Sequence, residues 1–414
     1  MAEFPVDRLR QMFPALNRCG SSVFFDNAAG AQVPQKVFDA INDHLLCRNV
    51  QRGGRYHESQ EVDAEIVRAR EVVATFLNAN EPDEVAFGMN ATSFIRLVSL
   101  ALSQKFGDRR EIVVSDLDHE ANIATWMALE QAGAVIRWWK VREDGNLHFA
   151  DLEPLLSTKT RLVACTVTSN ALGTIIDVAG VAKRAHAAGA EVFLDCVHYA
   201  PHGPIDVQVW GCDYLVCSGY KIFAPHMGFL WGRRAALDAL PTFREDFIPN
   251  VPPLKIEVGT FVYENVAGMR AAIEYLVELG GAANGNEASS SRRKRLVSAM
   301  AAIRDYETTL STALLQGLRS IQGATVYGIR DSQAAHLRVP TVCFNLKNVS
   351  PAALTTRLAG KGIAVRDGHM YSPRLMRRLG LSPDSGAVRA SLVHYNTHEE
   401  IQMFLKELQE IAGK

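Results

Sequence analysis

Residues 215–232 read LVCSGYKIFAPHMGFLWG: an apolar run, then Ser218, Tyr220 and Lys221, a loop punctuated by Pro225 and Gly228, and a second apolar run. The pattern predicts two buried strands joined by a turn that carries Lys221. A lysine held there is poorly solvated, which lowers its pKa and frees the amine for Schiff-base formation. The plain alternative is a surface lysine on a turn. Upstream, EVFLDCVHYAPH at 191–202 ends a Val-Phe-Leu strand on Asp195, where a carboxylate is costly unless paired. Its partner is either a bound cation or the first N–H groups of a following helix.

Working outward, short β-branched or aromatic runs at 84–88, 111–115, 135–140, 161–168, 191–195, 213–217 and 228–232 alternate with helix-like stretches such as 122–132 and 181–188. Buried strands alternating with helices predict an α/β unit with a mostly parallel seven-stranded sheet. Ligands bind beyond the C-terminal ends of such strands, which singles out Asn90–Ser93, His119, Asn170 and Asp195. After Gly232 the texture changes. Pro241, Pro249, Pro252 and Pro253 mark an irregular stretch, and GGAANGNEASSS at 280–291 reads as an exposed, mobile loop. A helix is expected at 293–319, strands at 337–345 and 362–366, and a final helix at 399–411 with a capping box at Thr397 and Glu400. The expected division is a large α/β domain over 17–265 and a smaller α+β domain built from 1–16 and 266–414, with no internal repeat.

Composition narrows the function. Of 414 residues 48% are hydrophobic and 21% charged, and 44 Lys plus Arg against 45 Asp plus Glu leave a net charge of −1. That balance speaks against a nucleic-acid backbone or an anionic membrane as main partner. The one dense basic cluster, Arg292-Arg293-Lys294-Arg295, reads as a solvated helix face. The seven cysteines, at 19, 47, 165, 196, 212, 217 and 343, form no CxxC, so free thiols in a reducing compartment are expected rather than a disulfide frame or zinc ribbon. With no secretory signal and no long apolar run, the cytoplasm is the expected location.

Taken singly, the motifs stay open. Asp195 and Lys221 on candidate neighbouring strands favour a cofactor with a protonated pyridine nitrogen, such as pyridoxal phosphate. Asn90-Ala91-Thr92-Ser93 opens a helix and offers backbone N–H groups and hydroxyls to a phosphate, although an N-cap does the same for structure alone. His198 and His202 have metal-ligand spacing, but Pro201 breaks the helix between them. His119-Glu120 begins like a zinc-protease helix and fails at Ile123, so no metal is expected. Ser218-Gly219-Tyr220-Lys221 fits the S-x-x-K of serine acyl-transfer enzymes, without the accompanying motifs. A binding protein on an enzyme-like fold is the non-catalytic reading.

Five segments in order resolve this. FFDNAAGAQVPQKV (24–37), DLDHEANIATW (116–126), TSNALGTIIDV (168–178), the run 194–221 and VRASLVHYNTHEEI (388–401) resemble the class V aminotransferases of pyridoxal-phosphate fold type I, most closely the cysteine desulfurase-like proteins. The resemblance implies pyridoxal 5'-phosphate held as a Schiff base on Lys221, which then moves the substrate proton. It implies Asp195 at the pyridine nitrogen, His119 stacked on the ring, Asn170 at ring or substrate, and His198 near the ring oxygen, where the family has glutamine. Ala91, Thr92, Ser218 and Tyr220 fall in the phosphate-binding set. Thr260 resembles a residue reaching the phosphate from a second subunit, which implies a homodimer with shared active sites. Arg389, with Arg366, matches the binding of the substrate carboxylate.

Two departures bear on the reaction. In VRDGHMYSPRL (365–375) Tyr371 stands where the desulfurases carry their sulfur-accepting cysteine, and Arg55 replaces a histidine in the segment 49–55. A phenol cannot become a persulfide. The expected reaction is therefore C–S cleavage by β-elimination of cysteine or a cysteine S-conjugate, with Tyr371 as proton donor or pocket wall. Arg55 either binds a second acidic group or pairs with a surface acid. Desulfuration with a relocated acceptor, transamination, epimerisation and decarboxylating or oxidative-deaminating chemistry are the alternatives.

Overall fold

The computed structural model describes residues 4–18, 23–283 and 290–413. Its strands in chain order are β1 (Val23–Phe24), β2 (Val85–Gly88), β3 (Glu111–Ser115), β4 (Val135–Trp139), β5 (Thr160–Thr166), β6 (Glu191–Asp195), β7 (Tyr214–Ser218), β8 (Gly228–Gly232), β9 (Ala324–Tyr327), β10 (Thr341–Leu346), β11 (Ile363–Ala364), β12 (Arg366–Gly368) and β13 (Ala387–Ser391). β2 to β8 form a seven-stranded sheet in the order β2-β8-β7-β6-β5-β3-β4. Only β8 opposes the rest, pairing antiparallel with β2 and β7, while the remaining pairs are parallel. The C-terminal ends of β2, β3, β5, β6 and β7 therefore open on one edge, and the tight β7–β8 connection returns there. The expected parallel sheet and fold type I are what the chain adopts.

Helices cover both faces. On one side Phe94, Ile95, Val98 and Leu102 of the helix Ala91–Ser103 pack with Trp126 and Phe193. On the other, the buried stripes of His57–Leu77 and Tyr263–Ala283 share a core with Phe87, Val163 and Leu194. A second, antiparallel sheet has the order β12-β13-β10-β9. It packs against Leu310, Leu314 and Leu318 of the helix Arg292–Ser320 and Phe404 and Leu408 of the helix His398–Ala412. The last helix starts with the predicted capping box, Thr397 Oγ1 accepting from the Glu400 N–H at 3.2 Å and Glu400 Oε2 from the Thr397 N–H at 3.0 Å.

Several local expectations shift. The helix begun at Ala121 tightens to 3₁₀ at Ala128 and stops at Gly133, whose φ of +89° suits glycine. Strand 337–345 starts only at Thr341, because Pro340 has no N–H to pair and Leu337 still belongs to a 3₁₀ turn. The run 362–366 splits at Val365: β11 pairs with β1, and β12 with β13. Gly280 belongs to the helix Tyr263–Ala283, where a Cβ would strike the Arg295 carbonyl, so the expected loop does not begin there; its centre, 284–289, lies outside the described residues, as does Cys19. Arg293 is no solvated charge either. It caps the helix His57–Leu77 and a nearby loop through the carbonyls of Phe76 and Ile205, at 2.8 and 2.7 Å. Among the described residues no helix is long and apolar enough to cross a membrane.

Candidate active site

A cavity of about 810 Å³ lies at the edge where the parallel strands end. It gathers Lys221, Asp195, His119, Asn170, His198, Ser218, Tyr220, Ala91 and Thr92. Lys221 ends the 3₁₀ turn Gly219–Lys221 directly after β7 and is only 6% exposed. Its Nζ makes no hydrogen bond or ion pair among the described residues. Burial, with the Arg389 guanidinium second, brings its pKa down to about 8, against the pull of Asp195. Asp195 closes β6, in register with Val216 of β7. Its Oδ1 accepts from the Val197 N–H at 3.0 Å. Burial raises the carboxyl's pKa, and the Val197 N–H and Lys221 oppose that rise. Asp195 thus caps the turn that follows β6 rather than a helix, and the reading with a bound cation stays a proposal.

The Ala91 N–H donates to Ser218 Oγ at 3.1 Å, joining the start of the helix Ala91–Ser103 to the end of β7. Asn90 caps that helix, accepting from the Ser93 N–H at 2.9 Å. The first turn and three hydroxyls, on Thr92, Ser93 and Ser218, thus face one end of the cavity, the arrangement that suits a phosphate. Tyr220 stacks on His226, rings 5.2 Å apart and 16° from parallel, and burial pushes its phenol up to about 12.

His119 follows β3. Its Nδ1 accepts from the Ala121 N–H at 3.1 Å. Burial, then Lys221 and Arg389, bring it down to about 4, so the ring is neutral at pH 7. Tyr371 lies against it, ring centroids 5.6 Å apart and tilted 30°. Tyr371 is 54% exposed and, with Met370, adopts a left-handed backbone, φ +57° and +52°. The loop is pinned despite that conformation. Asn170 Nδ2 donates to the Met370 carbonyl at 2.7 Å, Ser372 Oγ to Asn170 Oδ1 at 3.2 Å, and the Glu120 N–H to the Tyr371 carbonyl at 2.8 Å.

Arg389, on β13 and 2% exposed, sits behind Asn170, donating Nη1 to its carbonyl at 2.9 Å and Nη2 to Asp26 Oδ1 at 3.2 Å. Its Nε is buried without a partner among the described residues. Arg366, opposite it in register on β12, reaches Asp26 Oδ2 at 2.8 Å. One carboxylate thus balances two arginines. Nothing in the sequence around Asp26, within FFDNAAGAQVPQKV (24–37), marks it as the partner of either arginine. Thr166, Thr168, Arg96 and His226 also line the cavity unannounced. Five expected residues do not line it: Tyr371 and Arg389 adjoin it through His119 and Asn170, Arg366 follows through Asp26, and Thr260 and Arg55 have no such link among the described residues. Thr260 is exposed and accepts from Gln51 Nε2 at 2.7 Å, and Arg55 is exposed with no ion pair among the described residues.

The donor set fits pyridoxal phosphate on observations internal to the cavity: a buried unpaired amine, a carboxylate on the neighbouring strand, a hydroxyl-rich helix start, and two buried polar atoms without partners, His198 Nδ1 and Thr168 Oγ1. The class-V aminotransferase family profile matches residues 23–404, and the chain belongs to that family; it is a pyridoxal-phosphate-dependent enzyme. Among its relatives, a probable cysteine desulfurase of Synechocystis sp. is 34% identical over 97% of this chain and 94% of its own. The aminotransferase-like protein FGM3 of Gibberella zeae is 34% identical over 99% and 98%. The apo cysteine desulfurase of Thermococcus onnurineus NA1 superposes with a TM-score of 0.87 at 26% identity, covering 100% of this chain and 99% of that one.

Proposed function

We propose that this enzyme cleaves the C–S bond of cysteine or a cysteine S-conjugate by β-elimination, releasing a thiol and, with one water consumed, pyruvate and ammonia. The observation that carries the reading is the pinned loop, which presents Tyr371 rather than a thiol beside His119. The cysteines described in the interior do not replace it. Cys165, Cys196, Cys212, Cys217 and Cys343 are buried, and burial raises each thiol's pKa. Cys47 is exposed and lines no part of the cavity. The relatives named cysteine desulfurase support C–S chemistry on cysteine.

When bound, pyridoxal phosphate would supply an aldehyde for the substrate amine and a ring able to hold the electrons released at the α-carbon. Lys221 Nζ, poorly solvated and titrating near neutrality, accepts the α-proton. Asp195 holds a proton on the ring nitrogen. Neutral His119 provides a flat wall, while Ala91, Thr92, Ser218 and Tyr220 take the phosphate. Arg389 binds the substrate carboxylate through its unpartnered edge, with Arg366 sharing the charge of Asp26. The Tyr371 hydroxyl delivers a proton to the departing sulfur.

The same proposal includes a cytoplasmic homodimer. Thr260 and Arg55 lie on the exterior, as do the apolar Phe243, Phe247 and Val258, exposed by 94%, 81% and 72%. A second copy covering that face brings Thr260 to a phosphate and Arg55 to a substrate. The division into a domain over 17–265 and one of 1–16 with 266–414 belongs to the same proposal; the seven-stranded and four-stranded sheets favour it, whereas Leu9, Phe13 and the helix Tyr263–Ala283 pack in the core of the large sheet and β1 pairs with β11 across the boundary. The test is product analysis with S-substituted cysteines. Pyruvate, ammonia and thiol in equal amounts, lost in Lys221→Ala, are expected, and substrate consumption without pyruvate overturns the elimination.

A further inference from the structure

His198 is 3% exposed, lines the cavity, and follows Asp195 by three residues. Its Nε2 lies 3.0 Å from Thr341 Oγ1, and its Nδ1 is buried without a partner among the described residues. Thr341 is fully buried and comes from the other sheet, at the first position of β10. Its hydroxyl has no other hydrogen-bond partner among the described residues. A hydroxyl donates or accepts and so fits either tautomer; an acceptor placed at Nδ1 puts the proton there and leaves Nε2 to take the Thr341 O–H. The remaining neighbours hold the ring still. His202 packs edge-on at 5.4 Å and is itself anchored, Nδ1 2.7 Å from Glu307 Oε2 on the helix Arg292–Ser320.

We infer that Thr341 is a positioning residue: with the cofactor's ring oxygen as acceptor at His198 Nδ1–H, its O–H donates to Nε2 and holds the ring in that tautomer. The inference rests on the proposed place of His198 in the cofactor site. The charged and titratable groups facing this ring are Lys221 beyond β7, Arg389 on β13, and Asp195 and His202 on its own segment. Burial, with three cations or imidazoles around it, keeps His198 far below the ordinary histidine range. It therefore stays a neutral donor, with one proton to place, across the working pH range. Reversing the tautomer turns Nδ1 into an acceptor and sets its lone pair against an anionic oxygen. A small-domain side chain thereby reaches the electronics of a cofactor held by the large sheet.

The test is a pH titration of the bound cofactor's visible absorption band in wild type, Thr341→Val, Thr341→Ser and His198→Ala, with thermal melting to confirm folding. Removing a donor from an anionic oxygen raises its proton affinity. His198→Ala is expected to raise the midpoint by roughly one unit, about tenfold in proton affinity. Thr341→Val raises it in the same direction by less, and Thr341→Ser, which keeps the hydroxyl, restores the wild-type value. A shift in His198→Ala with none in Thr341→Val overturns the role of Thr341 and leaves the cofactor role of His198 standing. No shift in either removes His198 from the cofactor site, and the inference with it. Equal shifts in Thr341→Val and Thr341→Ser mark Thr341 as merely structural and overturn it too.

Discussion

Replacing Asp195 with asparagine separates two effects of one carboxylate, and they move in opposite directions. Burial and Arg389 bring Lys221 down to about 8 while Asp195 pulls it up. At pH 7 about one amine in ten is then neutral and able to attack an aldehyde. Asp195→Asn removes the largest charge that favours the ammonium, so Lys221 titrates lower and the neutral fraction rises towards one. Covalent capture of pyridoxal phosphate by the cofactor-free protein at pH 7 accelerates, by at most about tenfold, because only that much neutral amine remains to be gained. Turnover falls, by about 100-fold or more, since a group acting in the transition state is lost. Stopped-flow absorbance gives the limiting capture rate at saturating cofactor between pH 6 and 9, and steady-state assays give kcat. A variant whose limiting capture rate is slower than wild type at pH 7 refutes the electrostatic argument. Unchanged kcat refutes the place of Asp195 at the ring nitrogen.

Arg389→Lys replaces a fork by a point charge, losing one charge-assisted bond to the substrate carboxylate of about 1.5–3 kcal/mol, so KM rises by roughly 10- to 150-fold; initial-rate kinetics check this, and an unchanged KM places the substrate elsewhere. Tyr371→Phe removes only the hydroxyl, because both hydrogen bonds of this residue to its surroundings use main-chain atoms; kcat on a poor thiol leaving group is expected to fall about 100-fold, whereas no change makes Tyr371 a wall. His394 Nε2 lies 2.7 Å from the Tyr275 hydroxyl and burial brings its pKa down to about 3, against 6.5 when free. A depressed histidine lets the unfolded chain bind the extra proton between those values. Its stabilising contribution is complete above about pH 6.5 and declines by about 1.4 kcal/mol per unit as pH falls. Urea unfolding at pH 7 and pH 5 is expected to show a smaller acid loss in His394→Gln than in wild type.

The large sheet was legible because all its strands but the edge strand β4 are buried on both faces and read as largely apolar runs, and the strand-end rule then pointed to His119, Asn170 and Asp195. The smaller sheet was blurred where Pro340 delays β10 and where one run serves two sheets at Val365. Asp26 was invisible as a partner because its two arginines come from strands more than 300 residues away. Thr341 carries no signal at all, since a threonine opening a strand is ordinary until the fold sets it against His198. Thr260 and Arg55 carry motif information that a single chain does not gather into the cavity.

The central claim is that sulfur leaves without passing through a protein thiol. Incubating the cofactor-loaded enzyme with L-cysteine, then measuring small-molecule products alongside the intact protein mass, tests it directly. The account predicts pyruvate matching the sulfide released and no protein species carrying an added sulfur atom. Alanine as the product, with a persulfide on Cys19, Cys47 or any other cysteine, contradicts it.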